Sequence, residues 1–71
     1  MTPEQYVKLF YPDAFCDYSK RYKAFVVAIE IEGEQVIIGK SEFFERIAWE
    51  DAKRWIRSLP AENKPEMQTL K

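Results

Sequence analysis

The sequence predicts an α+β domain of order α-β-β-β-α, a three-stranded antiparallel sheet with the helices on one face. Three observations carry that prediction. Phe25, Val27, Ile29 and Ile31 alternate with Ala24, Val26, Ala28, Glu30 and Glu32, the period of two that a strand requires. Beyond Ser41 the apolar positions become Phe44, Ala48, Ala52, Trp55, Ile56 and Leu59, one face of a helix at about 3.6 residues per turn. Between them a glycine-led turn, Gly33-Glu34, sends the chain back through Val36-Ile37-Ile38 as a hairpin.

Each element has its own local cause. Thr2 supplies an N-cap hydroxyl, Pro3 a preset φ at the first helical position, and Gln5 the reciprocal partner of a capping box. Tyr6, Val7, Leu9 and Phe10 give this first helix an apolar side. Tyr11-Pro12 ends it, because the residue before a proline is pushed out of the α region. After a Pro12-Asp13-Ala14 connector, Ala14, Cys16 and Tyr18 alternate with Phe15 and Asp17, which predicts a short strand over Ala14–Tyr18.

A polar turn at Ser19-Lys20-Arg21 leads into the longest strand, Lys23–Glu32, and Gln35–Gly39 returns antiparallel to it. Lys40-Ser41 leaves the sheet. Ser41 is the expected N-cap of a helix running to about Ser58, with Glu42 and Glu45 at its positive end and Lys53, Arg54 and Arg57 at its negative end. Pro60 forbids continuation. Residues 1–59 are thus expected to form one domain and residues 60–71 a flexible C-terminal tail. With both helices on one face, Val26 and Ala28, flanked by Ala24 and Glu30, lie on the open face. That face must be small, polar or engaged by a partner, a second copy of the chain included.

Composition narrows the function. Seventy-one residues with 46% hydrophobic content and only two glycines describe one small folded domain with a thin core, reinforced by five Phe, four Tyr and two Trp. A net charge of −1 provides no global field for nucleic acid or anionic membrane. The single Cys16 excludes an intramolecular disulfide and a thiolate zinc site, and fits a reducing compartment. No apolar run approaches the ~18 residues of a membrane span, and the N-terminus reads as a helix start rather than a signal peptide. The expectation is a soluble cytoplasmic protein.

The chain carries little of what catalysis needs. Without histidine it lacks the commonest general base and metal ligand. Ser19, Ser41 and Ser58 fall at turns and helix ends, Cys16 reads as a small core residue, and Gly33 and Gly39 form no phosphate loop. The reading is a protein that is not an enzyme and uses no cofactor or metal. Arg46, Glu50, Lys53 and Arg57 form the outer face of the long helix. Glu50, four residues after Arg46 and four before Arg54, laces it.

Two clusters remain as candidate binding residues. Phe43 and Trp49 fall off the apolar stripe of the long helix, Trp49 roughly 90° and Phe43 about 150° from its centre at about 100° per residue. They either cover the flank of the core or face outward as protein-binding anchors. Glu30, Glu32, Glu34, Glu42 and Glu45 would then add an acidic surface resembling a row of phosphates. The alternative is a nucleic-acid site at Tyr18, Lys20, Arg21, Tyr22 and Lys23, where cations to hold phosphates interleave with aromatics to stack on bases.

Two resemblances add to this reading. The element order, the turn after the first strand and Gly39-Lys40-Ser41 before the last helix resemble the double-stranded RNA-binding domain. That likeness implies a phosphate-gripping basic cluster at the start of the last helix, where this chain has Glu42, Phe43, Phe44 and Glu45. It also implies that Ser19–Lys23 is the loop entering a minor groove. Tyr11-Pro12-Asp13-Ala14-Phe15-Cys16 and Ala48-Trp49-Glu50-Asp51-Ala52 are similar to motifs of small phage- and prophage-encoded accessory proteins. That likeness implies action by binding a host protein or complex, as anti-CRISPR and other anti-defence inhibitors do, inside the host cytoplasm.

Overall fold

The computed structural model describes residues 1–60; the expected tail over 60–71 lies, but for Pro60, outside them. In chain order the elements are α1 (Pro3–Phe10), β1 (Phe15–Ser19), β2 (Ala24–Ile31), β3 (Glu34–Ser41) and α2 (Glu45–Ser58). The strands form one antiparallel sheet in the order β1-β2-β3, as the alternation predicts. Both helices sit on one side of it: α2 lies along β3, and α1 packs against α2.

The helix ends follow local chemistry. At α1 the capping box closes in both directions, Gln5 N–H donating to Thr2 Oγ1 at 3.1 Å and Thr2 N–H to Gln5 Oε1 at 2.9 Å. Helix α2 stops at Ser58, and Leu59, the residue before Pro60, takes the extended conformation (φ −66°, ψ 141°).

The β2–β3 turn differs from expectation by one residue. Its central pair is Glu32-Gly33, both at positive φ (52° and 85°), so β3 starts at Glu34. Two left-handed residues match the right-handed twist of the flanking strands, and Glu32 adopts that region without a glycine's freedom. This position lies past the end of the helix layer, which leaves Ile31 exposed.

The packing of α2 on the sheet depends on a bulge in β3. Val27 pairs with Gly39 but Ala28 with Ile37, so Ile38 is the extra residue and turns into the core beside Gly39. A Cβ at Gly39 would collide with the Ala48 carbonyl oxygen and stand 2.7 Å from the Ala52 nitrogen and 2.9 Å from its Cβ. Helix and strand backbones therefore meet here, through the small side chains of Ala48 and Ala52. The buried core around this contact is Val7, Ala14, Val27, Ile29, Ile38, Trp49 and Ile56. Just beyond it, the Lys40 N–H donates to Asp51 Oδ2 at 3.0 Å, so α2 also ties down the free edge of β3.

Replacing Gly39 with Ala should cost about 3 kcal/mol or more, since neither backbone can retreat without unseating the other; a thermal melt within a degree of the parent would refute the contact. Glu32→Asn relieves the turn and should raise the melting temperature by roughly 3–6 °C, equivalent to about 0.5–1 kcal/mol, in the same measurement.

Candidate functional site

The start of α2 breaks a local rule. Ser41, the expected N-cap, is instead the last residue of β3, paired with Phe25. Its Oγ accepts the Phe44 N–H at 3.3 Å and closes a turn before the helix. The N-cap is Phe44, which has no side-chain oxygen to offer the first turn, where Ser, Thr, Asp or Asn would contribute about 1 kcal/mol. The helical period assigns Phe44 to the buried stripe; it is instead 65% exposed, and Phe43 beside it is 75% exposed. Ile47 is also exposed.

These three side chains form a short apolar run at one corner of the fold. Glu42 and Glu45, both exposed, bracket it in the chain. On the helix side of the sheet, Tyr18, Phe25 and Ser41 form one cross-strand row at this end. Tyr18 meets Phe25 edge-on with ring centroids 5.4 Å apart. The signal for Phe44 in the sequence is its slot between a strand-ending Ser41 and the first helical residue.

Trp49 corrects an expectation. It is 4% exposed and belongs to the core, because α1 covers the flank of α2 on which it lies. Lys8 on α1 reaches over its ring at 5.6 Å, and one turn on, Lys53 sits 5.1 Å from the ring of Tyr6. The buried face of α2 is therefore wider than a single sheet-facing stripe. Trp49 offers no surface anchor in this fold. Its Nε1 is buried without a hydrogen-bond partner, a cost of about 1–3 kcal/mol. A shallow hollow of about 410 Å³ lies between the starts of the two helices, lined by Thr2, Pro3, Glu4, Glu45, Arg46 and Trp49.

The acidic set does not form one surface. Glu30, Glu32 and Glu34 surround the β2–β3 turn, whereas Glu42 and Glu45 stand at the far end of β3, roughly 25 Å away at about 3.4 Å per residue. Only the second pair flanks the aromatic corner. The lacing of α2 also differs, since Arg54 pairs with Asp51 at 3.7 Å rather than with Glu50.

The basic turn is assembled but its aromatics are divided. Lys20, Arg21, Tyr22 and Lys23 are exposed, and Ser19 Oγ accepts the Tyr22 N–H at 3.3 Å. Arg21 lies over Tyr22 at 5.6 Å, while Tyr18 is engaged with Phe25 on the helix side of the sheet. The turn thus has three cations and two equally exposed rings that are set apart, Tyr18 against Phe25 and Tyr22 beside Ile37 and Lys40.

Cys16 faces the helices, in register with Val27 and Gly39. Burial, and then the charges of Glu45, Asp17 and Glu4, push its thiol up to about 11 from an ordinary 9.0, the reverse of nucleophile activation. Among the described residues no cluster of three or more His, Cys, Asp or Glu could hold a metal, and no helix is long and apolar enough to cross a membrane.

The Cys16 shift predicts two linked observations. At pH 8 the folded chain should hold about a hundredfold less thiolate than a free cysteine peptide, and alkylate correspondingly slowly. Between pH 9 and about 11 the unfolded chain ionises this thiol and the folded one does not, so stability falls as pH rises. Cys16→Ala should flatten that slope relative to the parent, read by denaturant melts across the window. Compared with protein-family models, curated proteins and solved structures, the chain matches none.

Proposed function

We propose that this protein acts by binding another protein, with Phe43, Phe44 and Ile47 as the apolar anchors and Glu42 and Glu45 as the acidic rim. The observation that carries this reading is Phe44 at the helix N-cap. An exposed aromatic there gives up capping energy that a serine would supply, and departures of this kind from local consistency concentrate at functional sites. Phe43 repeats the pattern one residue earlier, and adjacent exposed aromatics are the side chains that dominate binding energy at interfaces.

The rim indicates the partner's chemistry. An apolar groove edged with Lys or Arg complements a Phe pair between two glutamates. With the resemblance to phage accessory proteins, this chemistry leads to a non-catalytic inhibitor of a host defence complex as the reading. Absence of histidine and the raised Cys16 thiol support binding over catalysis. The acidic corner, Glu42 to Glu45, stands where the RNA-binding domain it resembles in element order places cations.

The double variant Phe43→Ser/Phe44→Ser separates these ideas. Its melting temperature should match or exceed the parent's, since both native side chains are exposed and a serine in place of Phe44 can cap α2. Proteins captured from host lysate by the parent should be lost by the variant. Retention of the captured set would move the site elsewhere, and a collapse in stability would place both rings in the core. Nucleic-acid binding by Lys20, Arg21 and Lys23 would instead survive the double variant and weaken steeply between roughly 50 and 200 mM salt.

A further inference from the structure

The open face of the sheet is self-complementary, and we infer that it is a docking surface for a second copy of this chain. Two cross-strand rows compose it. In one, Phe15 on β1, Ala28 on β2 and Ile37 on β3 stand side by side; in the next, Asp17, Val26 and Lys40 do. Their chain neighbours Cys16, Val27 and Gly39 face α2, so these six face away from it. Ile37 and Lys40 are three residues apart and would ordinarily face opposite sides. The bulge at Ile38 brings both onto the open face.

Each row is arranged about β2 so that its ends complement each other. A two-fold axis parallel to the strands, above β2, lays β1 of one copy over β3 of the other. Asp17 then meets Lys40 of the second copy, and Lys40 meets its Asp17. Phe15 meets Ile37 twice in the same way, while Val26 and Ala28, only 8% and 4% exposed between their taller neighbours, lie beneath the axis and leave the contact to the outer groups. The outer groups stay accessible, although Tyr22 from the β1–β2 turn lines a hollow with Ile37 and Lys40 and would border the contact. Phe15 and Ile37 are each 42% exposed. Asp17 and Lys40 are exposed and in no ion pair among the described residues. The contact of the Asp17 carboxylate within the chain uses Oδ1, which accepts the Tyr18 N–H at 2.8 Å.

Charge complementarity thus selects a second copy over an unrelated partner. Pairing of free strand edges at β3 is opposed by Asp51, which already holds the Lys40 N–H. One like-charged contact arises at the solvent end of the face, where Glu30 on β2 approaches its own counterpart and is screened. The paired rows span roughly 200 Å² per copy at ~4.8 Å between strands and ~3.4 Å per residue, well under the ~800 Å² of a standard interface. The association is therefore weak and concentration-dependent. It leaves Phe43 and Phe44, in the β3–α2 connection, clear of the paired rows.

Sedimentation equilibrium over about 10 to 500 μM protein tests this in four samples. The parent's average mass should rise from one chain toward two. Asp17→Lys and Lys40→Asp, each checked by its melt to be folded, should stay at one chain, weakened at least tenfold. Their equimolar mixture should associate again. In the mixed pair the lysine introduced into one variant faces the aspartate introduced into the other, and the native Lys40 and Asp17 that remain face each other. A parent that stays at one chain to the highest concentration overturns the inference. So do single variants that associate like the parent, or a mixture that fails to recover.

Discussion

The closest approach in this fold, α2 against β3 at Gly39, is the constraint on which the rest depends. The strand must have no side chain at that point and the helix only Ala48 and Ala52 opposite it. Because the two backbones touch, α2 sits low on the sheet. Ile38, Ile56 and Val27 can then close around the contact although the chain is short. The bulge is part of the same device: it turns Ile38 inward next to Gly39, so the core gains a large side chain where the contact itself allows none.

The same contact positions both surfaces. A helix seated at Gly39 through Ala48 begins one turn earlier, at Glu45, directly after a strand that runs to Ser41. Three residues bridge the two, and the bridge is too short to fold Phe43 and Phe44 back under the sheet. They stay outside, with Glu42 and Glu45 around them. On the opposite side of β3, the residue added by the bulge sets Ile37 and Lys40 on one face in line with Phe15 and Asp17. One local irregularity therefore tightens the core and shapes the open face.

Helix α1 has a different role. It makes its contacts with α2 and covers the flank carrying Trp49 and Lys53. Its presence there converts Trp49 from a residue off the apolar stripe into core. The stripe read from the sequence assumes one packing surface, the sheet, whereas α2 has two at an angle to each other. An amphipathic period reports how wide an apolar face is, and it does not report how many neighbours cover it.

The sequence by itself determined the element order, the sheet alternation, the capping box at Thr2 and the helix stop before Pro60, because each depends on residues within a few positions of one another. It also marked Phe43 as anomalous. Tertiary structure decided the burial of Trp49, the exposure of Phe44, the split of the five glutamates into two groups, and the bulge at Ile38. Those depend on which surfaces meet across the molecule. The close contact at Gly39 and the flank covered by α1 join residues too far apart in the chain for any local period to register.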